Sequence, residues 1–554
     1  VRLIGPNCLG IVVAESGLNA SFAHHMPLPG KLAFVSQSGA ICTAILDVSI
    51  KERIGFRYFV SVGSMLDVDF GDLVNYLGQD PEVSSIVLYV ESLTSFRKFM
   101  SAARAVSRIK PIVVLKAGRS PAGAKAAASH TGALAGSDEV YDTAFRRAGI
   151  LRVESIEELF DCAELMAKQP RPSGSGLAII TNSGGPGVMA ADALASFGMD
   201  PAPLSDATLS RLNEVLPSFW SHGNPIDILG DAPAERYYRA VEICVDAPEI
   251  NALLIMMCPQ ALSDPTAVAE TLVSLFRNRR LSIFTVWLGA SDVEKGREIF
   301  NNAGIPTYET PERAIGAFMS MVTYTRNLEL LQQAPPKLPR DLTFDQEAAR
   351  QLVDAALASG HATLTEVESK ALLTYYGIPV NPTEVAGSAE EAVASANRVG
   401  YPVVMKIHSR AITHKSEAQG VVLDLRDGKA VRRSYAEVME RAVAYKPDAD
   451  LLGVTIQPML PRPDFELILG AKKDPDFGPV LLFGMGGILT EILKDRAITL
   501  PPLNRLLARR LMEETRVFRL LQGYRNRPAA NLVLLEEIII RLAQLVIEIG
   551  RAHV

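Results

Sequence analysis

The stretch Leu32-Ala33-Phe34-Val35-Ser36-Gln37-Ser38-Gly39 decides the fold, because an apolar run passes directly into a turn of small polar residues. The run predicts a buried strand, and the turn predicts the start of a helix. The same order returns in Leu177-Ala178-Ile179-Ile180, which is followed by Thr181-Asn182-Ser183-Gly184-Gly185-Pro186-Gly187. Two stretches of one form indicate a duplicated unit of strand, polar turn and helix.

Short apolar strands alternate with amphipathic segments around both turns. This alternation predicts two α/β domains, each a flavodoxin-like parallel sheet with helices on both faces. A turn that opens a helix at the carboxyl edge of such a sheet presents backbone N–H groups and hydroxyls, so it favours an anion. The further predicted strands are 57–62, 86–90 and 112–115 after the first turn, and 252–257 and 283–288 after the second.

Composition argues against several classes of function. The 554 residues are enough for several domains, and a net charge of −6 offers no basic surface for nucleic acid. The five cysteines contain no C-x-x-C pair, which argues against a zinc site or a disulfide framework and favours the reducing cytoplasm. No apolar run is long enough to span a bilayer, so we expect no membrane partner.

A third region follows the Pro-rich stretch Ala334-Pro335-Pro336-Lys337-Leu338-Pro339. Its predicted strands have a hairpin-like spacing, which indicates an α+β module. The glycine-rich stretch Phe483-Gly484-Met485-Gly486-Gly487 is expected to form a loop that could cover phosphates, although an ordinary glycine loop is the alternative. The predicted elements are helices at 364–376 and 390–399 and strands at 402–407, 421–425, 451–459 and 465–471.

The two ends of the chain are unusual. It begins inside a predicted strand over residues 1–4 without a methionine, and residues 548–554 can be translated from a sequencing adapter. We therefore expect a missing N-terminal part and an assembly artefact at the end. The expected domains are a remnant of another domain at 1–26, α/β domains at 27–170 and 174–330, a linker at 331–362 and an incomplete third domain at 363–547.

One histidine lies in the stretch Ser129-His130-Thr131-Gly132-Ala133-Leu134-Ala135-Gly136. The stretch follows the predicted strand at 112–115 and a loop rich in Gly, Ser and Ala, and small residues let a backbone and a phosphate approach closely. A neutral imidazole is a good nucleophile toward phosphorus. His130 is therefore a candidate carrier of a phosphoryl group, with a surface or helix-capping histidine as the alternative.

Taken together, these segments resemble the NDP-forming acyl-CoA synthetases, relatives of succinyl-CoA synthetase, in the ADP-forming acetate–CoA ligase branch. Residues 129–136 match the phosphohistidine motif of that family, and the two polar turns match the turns that open its helices toward the phosphohistidine. Gly5-Pro6-Asn7-Cys8 resembles the end of the family's CoA-binding Rossmann domain. Residues 400–406 and 466–474 resemble its ATP-grasp module, whereas Ala418-Gln419-Gly420 replaces the paired glycines usual in the family.

The resemblance implies a role for particular residues. Glu91, which follows the strand 86–90, would orient His130, and His414 would relay the phosphoryl group near the nucleotide. The alternatives are that Glu91 is a solvated carboxylate, that the two polar turns are ordinary structural turns, that His414 is a loop histidine and that Lys406 is a surface lysine. The implied phosphate-binding residues are Ser36, Gln37, Ser38, Gly39, Asn182, Ser183, Gly184 and Gly185, and the implied nucleotide-binding residues are Lys406, Gln457, Met459, Glu466 and Lys472.

The resemblance also implies the reaction and its participants. A small carboxylic acid, CoA and ATP would give acyl-CoA, ADP and phosphate, reversibly, through an acyl phosphate and phospho-His130. Mg²⁺ would be a cofactor whose ligands are expected beyond the end of the chain, and a homo-oligomer is left open. Two other functions are weighed: a regulatory CoA-sensing or protein-acetyltransferase fusion, and an ATP-grasp ligase that joins acids to amines. Neither needs the His130 stretch.

Overall fold

The computed structural model describes residues 1–120, 122–123, 125, 137–276, 281–332, 342–487, 490–525 and 527–549. The chain divides into two compact units, Val1–Ala334 and Pro335–Val554. Among the helices that these ranges contain, none is both long enough and apolar enough to cross a membrane.

The first unit opens with a seven-stranded sheet in the order β2-β1-β4-β3-β5-β6-β7. Strands β3 to β7 are parallel and, counted from β3, have the order 2-1-3-4-5 of the flavodoxin fold. The strands are β1 Gly10–Val13, β2 Leu18–Ser21, β3 Leu28–Ser36, β4 Gly55–Ser61, β5 Ser85–Val90, β6 Ile112–Lys116 and β7 Leu151–Val153. The helices are α1 Gly39–Lys51, α2 Phe70–Gln79, α3 Phe96–Val106, α4 Asp138–Arg147 and α5 Ile156–Lys168.

The first 26 residues differ from the expectation of a separate domain that ends in a strand over residues 1–4. Residues 1–9 are described and form no strand, whereas β1 and β2 form a hairpin whose first strand pairs antiparallel with β4. The carbonyl oxygens of Leu3 and Gly5 accept hydrogen bonds from the N–H groups of Val68 and Leu66. The stretch extends the first sheet because its apolar residues, such as the fully buried Val12, belong to that core.

The second sheet of this unit repeats the first in its topology. Its order is β12-β11-β10-β8-β9, all parallel, which is again 2-1-3-4-5 counted from β8. The prediction of two flavodoxin-like parallel sheets is thus confirmed. The strands are β8 Leu177–Thr181, β9 Ile226–Asp227, β10 Ala252–Met257, β11 Ser282–Trp287 and β12 Thr307–Tyr308. The helices are α6 Gly184–Ser196, α7 Asp206–Val215, α8 Ala234–Val245, α9 Pro265–Phe276, α10 Ser291–Asn302 and α11 Pro311–Gln332.

Helix α11 joins the two flavodoxin-like layers. The Arg313 guanidinium donates two hydrogen bonds of 2.8 Å to the buried carboxylate of Asp161 on α5. The Tyr324 hydroxyl donates to the Ser107 carbonyl at 2.7 Å. The helix belongs to the second sheet by sequence, yet it packs against helices of both layers, so the first unit is one packed body.

The second unit contains two antiparallel sheets, in the orders β13-β16-β14-β15 and β17-β18-β19. This matches the predicted α+β module. The strands are β13 Glu384–Ala386, β14 Val403–Ser409, β15 Val421–Leu425, β16 Leu451–Pro458, β17 Leu467–Asp474, β18 Gly478–Met485 and β19 Arg496–Thr499. The helices are α12 Gln346–Ala358, α13 Glu366–Tyr375, α14 Ala389–Val399, α15 Gly428–Tyr445, α16 Thr490–Leu493, α17 Arg505–Glu513, α18 Val517–Leu521 and α19 Leu532–Ile549.

Two expectations for this region are corrected. The expected linker at 331–362 contains helix α12, because Ala349, Val353 and Ala356 form an apolar stripe on it. The expected loop at 483–487 begins as strand, since residues 483–485 pair with β17 and Gly484 lets β19 approach closely. The artefact expected at 548–554 stays a prediction: Glu548 lies in α19 and accepts a hydrogen bond of 2.7 Å from Tyr376, and residues 550–554 lie outside the described chain.

Candidate functional site

The first predicted turn lies at the carboxyl edge of the first sheet, between β3 and α1. The Ser36 hydroxyl accepts a hydrogen bond from the Ser38 N–H at 3.1 Å and donates one to the Ser38 carbonyl at 2.8 Å. The Ser38 hydroxyl in turn caps α1 by accepting from the Ile41 N–H. The two hydroxyls therefore fix the shape of the turn, and they leave the first-turn amides, such as that of Gly39, without an acceptor inside the helix.

Gln37 ties this turn to the neighbouring strand. Its side-chain oxygen accepts from the N–H groups of Glu91, at 3.0 Å, and Ser92, at 2.9 Å. Its side-chain nitrogen donates to the Ser92 hydroxyl at 3.1 Å. Strands β3 and β5 flank the point where the strand order reverses, which is where open α/β sheets bind ligands. The structure thus brings Glu91, half-buried at the end of β5, to the same edge as the turn.

The second turn repeats this arrangement between β8 and α6. The Thr181 hydroxyl accepts from the Ser183 N–H at 3.1 Å and donates to the Ser183 carbonyl at 2.9 Å. The Asn182 side chain exchanges two hydrogen bonds, of 2.9 and 2.8 Å, with the backbone of Cys258 after β10. Unlike Ser38, Ser183 makes no capping hydrogen bond through its side chain. The duplicated sequence therefore gives a duplicated hydrogen-bond pattern.

Both turns can bind an anion through backbone groups. Each opens a helix of 13 residues, whose first-turn N–H groups carry the positive end of the helix dipole. A side chain at Gly185 would meet no atom within 4 Å, so its absence leaves open space in front of the second helix. The side chains of Ser36, Gln37 and Asn182 already bond within the protein. They therefore position the turns, and the backbone amides are the donors available to a phosphate.

His130 lies outside the described residues, as do Thr131 to Gly136 of the same stretch.

The N-terminal segment lies beside the first turn, at the carboxyl edge of the first sheet, where the sequence did not predict it. The N–H of Leu9 donates to the Ser61 hydroxyl at the end of β4 at 3.0 Å, and its nitrogen would lie 3.4 Å from a side chain at Gly39. Gly5-Pro6-Asn7-Cys8 thus runs beside the first turn, a placement that only the tertiary structure discloses.

The second unit contains a polar cavity of about 440 Å³. Its walls come from the start of α13, from β14 and from the loop that joins β14 to β15. Two predicted site residues, Lys406 and His414, line it together. The full lining is Glu366, Lys406, Thr413, His414, Lys415, Ser416, Glu417 and Val421.

Glu366 connects the cationic groups of this cavity. Its carboxylate accepts from Lys406 at 3.1 Å and from the buried Gln457 at 2.6 Å, and it lies 3.1 Å from the Lys415 ammonium. A third ammonium, that of Lys370, lies at 3.2 Å. Burial tends to raise the pKa of Glu366, but hydrogen bonds from Gln457, Lys415 and Lys406 outweigh it and lower this pKa to about 2. The carboxylate is therefore ionised at neutral pH.

The other predicted nucleotide residues lie apart from the cavity lining. Gln457, expected at an adenine hinge, is only 2% exposed and uses its amide to bind Glu366. Met459 follows β16, and its N–H donates to the Pro402 carbonyl at 3.0 Å. Glu466 and Lys472 are exposed residues before and within β17. Of the five, the structure brings Lys406 and Gln457 together through Glu366.

Sequence reasoning missed Glu366 and Lys415. Both lie in short local patterns, a capping box formed by Thr365 and Glu368 for Glu366 and the pair His414-Lys415. The capping box predicts a helix start but not the role of Glu366, because two of its three lysine partners, Lys406 and Lys415, are distant in sequence. Gln419, at the departure from the paired glycines, has φ of 48°, a conformation that glycine adopts more readily.

Within the described ranges, no group of three or more His, Cys, Asp or Glu side chains could hold a metal ion.

Three family models match the chain: a succinyl-CoA ligase-like flavodoxin domain over residues 29–166, a Ligase-CoA domain over 177–332 and an ATP-grasp domain over 355–552. The ADP-forming acetate–CoA ligase I of Archaeoglobus fulgidus is 38% identical over 98% of this chain and 78% of its own length. The chain belongs to the NDP-forming acyl-CoA synthetase family.

Two further members of the NDP-forming acyl-CoA synthetases are similar to this chain. The ADP-forming 4-hydroxybutyrate–CoA ligase of Nitrosopumilus maritimus is 34% identical over 99% of this chain and 78% of that protein. The solved acetyl-coenzyme A synthetase 1 of Ca. Korarchaeum cryptofilum, in complex with phosphate and ADP, has a TM-score of 0.58 and 36% identity, covering 60% of this chain and 72% of that one. The predicted enzyme class, an ADP-forming acid–CoA ligase, is confirmed by this membership.

Proposed function

We propose that the chain converts an acyl-CoA, phosphate and ADP reversibly into a free acid, CoA and ATP, with His130 as the phosphoryl carrier. Phosphate oxygen attacks the thioester carbonyl, and the CoA thiolate leaves as the acyl phosphate forms. The His130 imidazole then attacks phosphorus and the carboxylate of the acid leaves. Finally, a β-phosphate oxygen of ADP attacks the phosphohistidine, which yields ATP and restores His130.

The first sheet supplies the phosphate side of this reaction. The first-turn amides of α1 would hold phosphate, and Glu91 would orient His130 and support the charge that it gains on phosphorylation. The hydrogen bonds that the N–H groups of Glu91 and Ser92 donate to the Gln37 side chain support this role, because they fix the backbone of Glu91 beside the turn. By the same reasoning, the turn at Ser183, Gly184 and Gly185 would hold a phosphoryl group at the second sheet.

The cavity of the second unit supplies the nucleotide side, and it is the observation that carries the proposal. Lys406 and Lys415 present ammonium groups to a space of about 440 Å³ in the part of the chain that matches the ATP-grasp model. A solved relative in complex with phosphate and ADP supports adenine nucleotide as the ligand. His414, exposed at the same cavity, would relay the phosphoryl group. Met459, Glu466 and Lys472 are proposed to contact the rest of the nucleotide.

The remaining assignments are proposals as well. We assign residues 1–26 to the CoA side, 27–170 and 174–330 to the phosphate-binding domains and 363–547 to the nucleotide-binding domain. Mg²⁺ would neutralise nucleotide phosphates; its protein ligands are not assigned, because no group of three or more His, Cys, Asp or Glu side chains that could hold a metal ion lies among the described residues. The five free cysteines support a cytoplasmic location. Acetate or another small acid, such as 4-hydroxybutyrate, is the proposed substrate, and a homo-oligomer is compatible with this function.

The test is phosphorylation by γ-labelled ATP. The purified full chain should acquire a label that is labile in acid and stable in base, the signature of a phosphohistidine, and added acid and CoA should discharge it. In His130→Ala any such label should lie on His414, the proposed relay, and acid and CoA should not discharge it. A His130→Ala protein whose label acid and CoA discharge, or a wild-type protein that forms acyl-CoA without passing through label, would refute the mechanism.

A further inference from the structure

Glu366 occupies an unusual electrostatic position in the second unit. Its carboxylate lies 3.1 to 3.2 Å from the ammonium groups of Lys370, Lys406 and Lys415, which come from α13, β14 and the loop after it. The Glu366 side chain is only 16% exposed, and the three lysine side chains are 20 to 28% exposed. These four residues form a partly buried group with one negative and three positive charges, which we call the lysine cluster.

The lysine cluster would be unstable without its carboxylate. Three ammonium groups that surround one carboxylate lie close to one another, and their repulsion is poorly screened away from water. Glu366 offsets that repulsion while no other anion is present. The net charge of the cluster is nevertheless positive, so it still attracts an anion to the cavity that Lys406 and Lys415 line.

A phosphate that enters the cavity meets two of these ammonium groups, those of Lys406 and Lys415. An ammonium has three N–H donors, so each of the two can serve Glu366 and a phosphate oxygen together, but the carboxylate remains a nearby like charge. Glu417 also lines the cavity, yet its side chain is 67% exposed, so solvent screens it far more than Glu366. Glu366 is thus the carboxylate of this lining whose charge a bound phosphate feels most.

We propose that Glu366 is a built-in counter-anion that holds the phosphate-binding lysines ready and weakens nucleotide binding, so that nucleotide is released readily. The inference rests on the proposed function, in which ADP and ATP bind at Lys406. A reversible ligase needs this property because the product nucleotide, ATP in one direction and ADP in the other, must leave the site in each turnover. Glu366 acts through the lysines and is therefore a positioning residue.

The test compares ADP affinity by calorimetry in full-length variants. Glu366→Gln keeps the shape and an acceptor oxygen but removes the charge, so the Kd for ADP should fall about tenfold at low salt, equivalent to about 1.4 kcal/mol. The Kd of this variant should also rise more steeply with salt than that of the wild type. Glu368→Gln is the matched control: Glu368 lies two residues further along the helix, pairs with Arg410 and is absent from the cavity lining. Its Kd should be unchanged.

A second variant tests whether the lost charge, rather than a change of structure, explains the effect of Glu366→Gln. Glu366→Gln combined with Lys370→Gln keeps the net charge of the lysine cluster, so the Kd for ADP should remain within about threefold of the wild type if charge is what matters. A Kd that stays the same or rises in Glu366→Gln, or rises tenfold in the double variant, would overturn the inference. If Lys406→Met left ADP binding intact, the proposed nucleotide site itself would fail, which is a separate result.

Discussion

The two strand-to-helix turns of the first unit share their hydrogen bonds but differ in what those bonds hold. In each turn a hydroxyl fixes the backbone two residues on, and an amide side chain reaches the end of the adjacent strand. The amide of Gln37 holds Glu91, whereas the amide of Asn182 holds Cys258. Duplication has thus kept the scaffold for an anion in both places, but the residue that the amide side chain holds is a carboxylate at the first turn and a cysteine at the second.

The largest expected difference concerns that carboxylate. Glu91→Gln should slow phosphorylation of His130 by about 10²- to 10⁴-fold, because a positioned acid–base group contributes that much to a reaction step. Single-turnover labelling with an acyl phosphate measures the rate. Cys258→Ser, the equivalent change at the second turn, should leave that rate within a few-fold of the wild type. Equal rates for Glu91→Gln and wild type would remove the functional distinction between the turns.

The amide side chains should contribute similarly to stability. Gln37→Ala and Asn182→Ala each leave buried backbone groups without a partner, which should lower the free energy of unfolding by about 1–3 kcal/mol. Asn182 is 1% exposed and Gln37 is 8% exposed, so the loss should be larger for Asn182. Urea unfolding measures both values. Gln37→Ala should also slow His130 phosphorylation because it releases the backbone of Glu91, and a loss of stability alone would contradict that link.

Substitution of the two serines, Ser38 and Ser183, should give a smaller difference in the free energy of unfolding. Ser38 caps helix α1 through its hydroxyl, and Ser183 does not cap α6. Ser38→Ala should therefore lower the free energy of unfolding by about 1 kcal/mol, the usual value of an N-cap. Ser183→Ala should change it by less than half as much. Thermal unfolding of the two variants under one set of conditions provides the comparison, and equal losses would show that the caps are alike.

The smallest effect on the free energy of unfolding is expected at Gly184 and Gly185, the glycine pair of the second turn. Gly185→Ala meets open space, so it should raise the free energy of unfolding by about 0.4–1 kcal/mol through a less flexible unfolded chain. At Gly184 a methyl group would lie 3.2 Å from the Asp227 carboxylate, which should cancel that gain. Thermal unfolding again measures the difference. A destabilised Gly185→Ala would mean that the space beside the second turn is occupied.

The elements near the turns could be predicted because their signals are local. A short apolar run such as Ala33 to Val35 that ends at turn residues favours a buried strand, and the small polar residues after it favour a helix start. The hairpin of β1 and β2 was missed because its strands are four residues long and its partner β4 is distant in sequence. Helix α12 was not predicted, because the Pro-rich stretch before it indicated a linker.

The candidate site was predictable to the same extent. Residues that act through backbone geometry, such as Gly39, could be found from the turn itself. Gln37 was expected to hold phosphate, but its partners are on another strand, and only the fold shows that its amide is already bonded. The local pattern at Glu366 gave no sign of its role, because two of its three lysine partners, Lys406 and Lys415, are brought to it by tertiary structure.

Helix α11 also bears on the evolutionary history of the chain. A recombination event between residues 170 and 174 would separate two domains that look independent in sequence. It would strip α11 from α5, separate the fully buried Leu165 of α5 from the core of the second sheet, and leave the buried carboxylate of Asp161 without Arg313. Exchange of either flavodoxin-like half with another protein is therefore disfavoured. Whatever their origin, the two copies are now inherited together.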